Sequence, residues 1–132
     1  MPIEYNIDPE LGIVNHEFTG EIFYKDFEAY WRRFLSEPNL PEPLVMLADL
    51  RNCELRVDGE DVQRLARTVI EPLLGDRRWI SAVIVASNVE YGVTKQFIVY
   101  SARFGETEVF RDAGEAIRWL VERMEARKKD AG

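Results

Sequence analysis

One histidine, His16, and one cysteine, Cys53, are the residues of this chain whose chemistry is least shared by their neighbours. A Ser–His–Asp triad, a Cys–His dyad or a zinc cluster would each have to recruit His16. It lies between Val14 and Phe18 on one face of an alternating stretch, the setting of a half-buried, hydrogen-bonded strand histidine. Cys53 is flanked in sequence by Arg51 and Arg56, and a thiolate needs such a cation or a base beside it. Placed in a loop after the third strand, it reads as an ordinary small residue. Gly59, Gly92, Gly105 and Gly114 are isolated, so no phosphate-cradling or dinucleotide-binding loop can be drawn. The pattern holds no catalytic constellation and no metal-ligand spacing, and neither an enzyme nor a cofactor is expected.

A second group is spread along the chain. Asp49, Arg51, Asn52, Ser87, Asn88, Tyr91, Arg111 and Asp112 fall where apolar strands end or helices begin. Ligands of parallel α/β sheets gather beyond the carboxyl ends of the strands. Two arginines beside helix N-termini suit a small anion or a carboxylate. The same residues serve equally well as helix caps and internal ion pairs.

The elements that must position them follow from periodicity. Ile3 to Ile7 alternates as a strand, Asp8-Pro9-Glu10-Leu11-Gly12 supplies a turn, and Ile13 to about Thr19 alternates again, which makes an antiparallel hairpin. Tyr24 to Leu35 carries Phe27, Tyr30, Trp31, Phe34 and Leu35 at helical spacing. Leu44 to Ala48, ending at Asp49, and Ile80 to Ala86 are continuous apolar runs, as in strands buried on both faces. Between them Asp58, with Asp61 three residues on, starts a helix whose continuation Pro72 disrupts. A helix from about Glu90 to Arg103, a short strand from Thr107 to Phe110, and a helix opened by Asp112 and Glu115 complete the order. That order is ββαβαβαβα: an α/β fold with a mostly parallel mixed sheet, an N-terminal antiparallel hairpin and flanking helices, in one domain over 1–132 with a frayed tail from about 127.

The helix from Glu90 is apolar on two sides. Val89, Val93, Phe97, Tyr100 and Phe104 share one stripe, while Tyr91, Ile98 and Ala102 fall opposite, with Thr94 near them. The second side, Tyr91, Thr94, Ile98 and Ala102, is therefore a candidate interaction surface for a protein partner or a second copy in a homodimer. The abundant aromatic residues also allow a pocket for a small apolar or lipid-like ligand between helix and sheet.

Composition narrows the partners. The formal charge is −7, from 17 basic and 24 acidic residues, which disfavours nucleic acid. No run approaches the ~18 apolar residues of a membrane span, and Met1 to Tyr5 does not open like a signal peptide. The lone thiol fits a reducing compartment, so a cytoplasmic location is expected.

The segments Leu47-Ala48-Asp49-Leu50-Arg51, Glu90-Tyr91-Gly92, Val109-Phe110-Arg111-Asp112 and Glu115-Ala116-Ile117-Arg118-Trp119-Leu120, in this element order, resemble the STAS domain. That domain occurs in bacterial anti-sigma-factor antagonists and sulfate transporter tails, and the chain looks most like its uncharacterised bacterial subgroup, sometimes grouped with Sec14-type lipid-binding folds. The resemblance implies a docking module rather than an enzyme. In the antagonists a serine opening the helix after the central strand is phosphorylated. Here that segment reads Val57-Asp58-Gly59-Glu60-Asp61, without Ser or Thr, so the switch does not carry over and Asp58 is expected to be a helix cap.

Overall fold

The hairpin forms where the alternation and the turn residues place it. In the computed structural model, which describes residues 2–131, β1 (Ile3–Ile7) pairs antiparallel with β2 (Val14–Phe23), setting Ile3 against Phe18 and Tyr5 against His16. The Asp8 carboxylate accepts from the backbone N–H groups of Glu10 and Leu11, at 2.9 and 3.0 Å. Gly12 supplies the positive φ that returns the chain.

Then follow α1 (Tyr24–Leu35), β3 (Leu44–Arg56), α2 (Gly59–Arg64), a π-helical segment (Leu65–Ile70), α3 (Glu71–Leu74), β4 (Trp79–Ile84), α4 (Asn88–Ser101), β5 (Gly105–Phe110) and α5 (Ala113–Ala131). The strands lie in sequence order, β1-β2-β3-β4-β5, and all neighbours after the hairpin run parallel. Right-handed crossovers between successive strands send their helices to one face. α1, the α2–α3 stretch and α4 therefore share a face, and α5 covers the other.

Period-2 alternation divides the core accordingly. His16 and Phe18 on β2, Met46 and Ala48 on β3, and Trp79, Ser81 and Val83 on β4 face the three-helix layer. Val45, Ile80, Ala82 and Ile84 face Ala116 and Leu120 of α5. β3 and β4 are interior strands, and every residue of β4 is buried, as their apolar runs require.

Four expectations are corrected. β2 runs on to Phe23 and β3 to Arg56, well past Thr19 and Asp49. After a bulge that gives β3 one extra residue, they pair from Thr19 with Asn52 to Phe23 with Arg56. This arm is two-stranded, because β1 pairing ends at Phe18 and β4 pairing at Asp49. Cys53 accordingly lies in a strand, not a loop. Second, Pro72 does not end its helix. The Glu71 N–H reaches back to the Ala66 carbonyl in the π-helical segment, so the chain stays helical around a residue with no N–H to give. Third, α5 continues through Arg127 to Ala131 where a frayed tail was expected, its late basic residues suiting the helix C-terminus. Gly132 lies outside the described residues. Fourth, His16 is wholly buried rather than half-buried.

Candidate functional site: an apolar cavity floored by His16

Large side chains surround small ones on the inner face of the sheet. Ala48 pairs across β2–β3 with His16 and across β3–β4 with Val83, and Ser81 pairs with Met46. α1 and α4 are held apart above them by the helical stretch that includes the π-helical segment. Small residues under spread helices leave a cavity of about 80 Å³. Phe27 and Trp31 of α1, Val62 and Leu65 of the middle stretch, and Val93 and Phe97 of α4 form its walls. Half-exposed lining residues, Tyr24 and Asp61 among them, mark its solvent side, and the Arg64 guanidinium stacks 3.8 Å over the Tyr24 ring.

His16 gives the cavity its polar feature. Nδ1 meets the Tyr30 hydroxyl, whereas Nε2 is buried with no hydrogen-bond partner among the described residues. His16 lines the cavity and Tyr30 does not. Burial pushes the imidazole pKa down to about 3, so the ring is neutral at physiological pH, and burial raises that of Tyr30. Ser81 and Thr94 add hydroxyls to the lining, and the Thr94 proton is donated to the Glu90 carbonyl at 2.7 Å.

Cys53 is a buried free thiol. Its thiol donates to the Leu50 carbonyl at 3.3 Å, and burial, reinforced by the charges of Glu90 and Asp49, pushes its pKa up to about 12. The flanking Arg51 and Arg56 pair elsewhere, with Asp49 and with Glu21 and Glu54.

The residues at the strand ends form two local sets. Arg51 holds both oxygens of Asp49, at 3.0 and 2.8 Å, and this pairing keeps the Asp49 carboxyl below its ordinary range. Arg111 donates to Asn88 at 2.7 Å and lies over the Tyr91 ring at 5.1 Å. Ser87 caps α4 and donates to Glu90, while Asp112 accepts from the Glu115 N–H at the start of α5. Asn52 is exposed and belongs to the β2–β3 arm. Both arginines are thus engaged by neighbours.

α4 is rotated relative to its expected stripes. Glu90, Thr94 and Ser101 are buried, Tyr91 and Ile98 are half-buried, and Ala102 is exposed. Thr94 therefore belongs under the helix rather than to an outer surface, and Val89, expected inside, is 61% exposed. The polar line can be buried because its members satisfy one another and their own helix. The lining residues Ala48, Ser81 and Thr94 were not read as parts of a pocket. The available signal was small or polar residues at inward positions of strands and a helix that are otherwise bulky.

No family model matches the sequence, and no curated protein matches it. Among solved structures, the chain is similar to an uncharacterised protein of the DUF3478 family, with a SpoIIAA-like fold, from Shewanella loihica PV-4. The two share 20% identity and a TM-score of 0.55 over 89% of this chain and 91% of the other. No helix among the described residues is long and apolar enough to cross a membrane. With its hairpin, parallel strands and flanking helices, the chain has a SpoIIAA-like fold.

Proposed function

We propose that this chain is a non-catalytic binding module that holds a small, largely apolar molecule between its sheet and its helices. The observation that carries the reading is the cavity of about 80 Å³ enclosed between the inner face of the sheet and its helices. Ligand sites of this kind are apolar concavities with a few placed polar groups. An engineered apolar cavity of roughly 150 Å³ admits benzene, so this one takes the end of a chain, the remainder lying at its mouth beside Tyr24 and Asp61. Binding without turnover is supported by the state of the two reactive side chains. His16 is neutral with Nδ1 occupied, and Cys53 is a protonated thiol at neutral pH. The buried free thiol also supports a cytoplasmic setting.

Native mass spectrometry of gently purified protein looks for a retained small molecule, and titration with 2-methylhex-1-ene, followed by methyl NMR, tests entry. Shifts at Ala48, Leu65 and Val83 are expected. A clean polypeptide mass together with unmoved methyl signals removes the reading.

Docking to a protein partner, or to a second copy, is the second reading. It is supported by the outer face of α4, where Val99 is 70% exposed beside half-buried Ile98 and exposed Ala102.

A further inference from the structure

We propose that a recess at the amino-terminal ends of β3 and β4, beside the last turns of α5, binds a phosphate dianion, as free phosphate or as the phosphate group of a small monoester. This site lies apart from the apolar cavity and does not depend on that reading.

The recess measures about 510 Å³, within the range of small-molecule sites. Arg77 and Arg78 line it from the turn that leads into β4, and Arg127 and Lys128 line it from α5. These four cations share the recess with two carboxylates, Glu42 and Asp76, in a chain whose formal charge is −7. The local excess of positive charge is therefore opposite in sign to the molecule as a whole.

The cations are held in place without being neutralised. Among the described residues no carboxylate comes within 4 Å of any of the four, since the ion pairs engage other arginines. Arg77 donates instead to the carbonyls of Leu73 and Leu74, at 2.8 and 3.0 Å, and Arg78 donates to that of Arg103 at 3.0 Å. A carbonyl fixes a guanidinium and leaves its full charge in place. Nη1 of Arg77 and Nη2 of Arg78 have no protein partner among the described residues, so a ligand meets donors already oriented. Glu42 and Asp76 are exposed whereas Arg77 and Arg127 are half-buried, so solvent screens the acids more than these cations.

Charge and size name the ligand. A phosphate monoester carries about −1.5 to −2 at pH 7 and offers three acceptor oxygens to forked guanidinium donors. A monocarboxylate would leave part of the excess unmatched. A nucleic acid would carry its further phosphates over an acidic surface that repels them. Pro43 and Met124 supply apolar lining, which favours an ester substituent over bare phosphate.

Phenyl phosphate, inorganic phosphate and benzoate are titrated separately into the full chain at low salt, up to about 10 mM, well above a millimolar Kd, while backbone amide shifts are followed. Phenyl phosphate should move the signals of Arg77, Arg78 and Met124, and benzoate should bind about tenfold more weakly, the worth of one charged hydrogen bond. An Arg127→Gln, Lys128→Gln double variant should lose about tenfold for phenyl phosphate. Asp76→Asn should bind it more tightly, a gain that a damaged fold cannot mimic. If Arg127 and Lys128 serve only the C-terminus of α5, the double variant loses stability but keeps wild-type phosphate affinity, which overturns the proposal. Wild-type signals that stay put, or move only away from the recess, also overturn it. Inorganic phosphate binding as tightly as phenyl phosphate supports the site with free phosphate as its ligand, and weaker binding supports it with the ester.

Discussion

Tyr30 of α1 and His16 of β2 meet through the phenolic hydroxyl and Nδ1, inside a cluster of Tyr5, Trp31 and Phe34. The pair ties the first helix to the sheet and keeps a titratable ring away from water. Its pKa is about 3 when folded, against about 6.5 for an ordinary histidine. Between those values the unfolded chain binds more protons, so folding stability is full above pH ~6.5 and declines as the pH drops towards 3. From this one group the decline approaches about 1.4 kcal/mol per pH unit. Tyr5 and Tyr30 stay protonated throughout that range, their pKa values being raised. Urea midpoints measured from pH 7 to 4.5 should therefore fall more steeply in wild type than in the His16→Phe, Tyr30→Phe variant. Equal slopes would mean that another group titrates.

Ala48 tests whether the space above the sheet is functional. It lies between His16 and Val83 on a central strand and lines the cavity. Ala48→Leu should occupy that space, abolish uptake of 2-methylhex-1-ene, and raise stability by about 1 kcal/mol, as cavity filling commonly does. Retained probe binding in a folded variant would place the probe elsewhere.

The architecture was legible because its signals are local and redundant. Apolar runs at Leu44–Ala48 and Ile80–Ala86, and helical spacing in Tyr24–Leu35, each admit one reading, and the parallel sheet follows from their order. The β2–β3 arm was not legible, since Glu21, Arg51, Asn52, Glu54 and Arg56 read as loop until pairing shows Cys53 and Leu55 turned inward. The cavity was hidden for a different reason. It is a difference between the volume that the helices enclose and the volume that Ala48 and Ser81 fill, and no stretch of sequence encodes a difference between distant segments. On α4, the burial of Glu90 and Thr94 depends on hydrogen bonds to Ser87 and to the helix backbone, which hydropathy does not see.

Gly105 opens β5 directly against Trp79 of β4, its partner in register. A Cβ added there would stand 2.6 Å from the Trp79 carbonyl oxygen and 2.9 Å from its indole Nε1. The backbone oxygen cannot swing away, and the indole is fixed by its bond to Thr107 at 3.3 Å. Gly105→Ala should cost about 1–3 kcal/mol in urea unfolding. Because Trp79 also lines the cavity, the variant should bind apolar probes more weakly. A neutral substitution would show that the two strands part readily at this end.

The outer face of α4 makes a separate prediction, independent of the cavity. Tyr91, on this helix, already has company from the Arg111 and Lys95 side chains, at 5.1 and 5.8 Å from its ring, and Thr94 is buried. On the side opposite exposed Val89, Val99 with Ala102 and the half-exposed Ile98 remain uncovered, three positions within about 100° of a helix turning ~100° per residue. If this strip docks a second copy, wild type should sediment heavier than one chain at high concentration, and Ile98→Glu or Val99→Glu should return it to a single chain. Glutamate at exposed Val99 should cost little stability, since surface changes usually stay within about 0.5 kcal/mol, so loss of association there reports the contact rather than the fold. A wild type that sediments as one chain at every concentration assigns the strip no role in self-association.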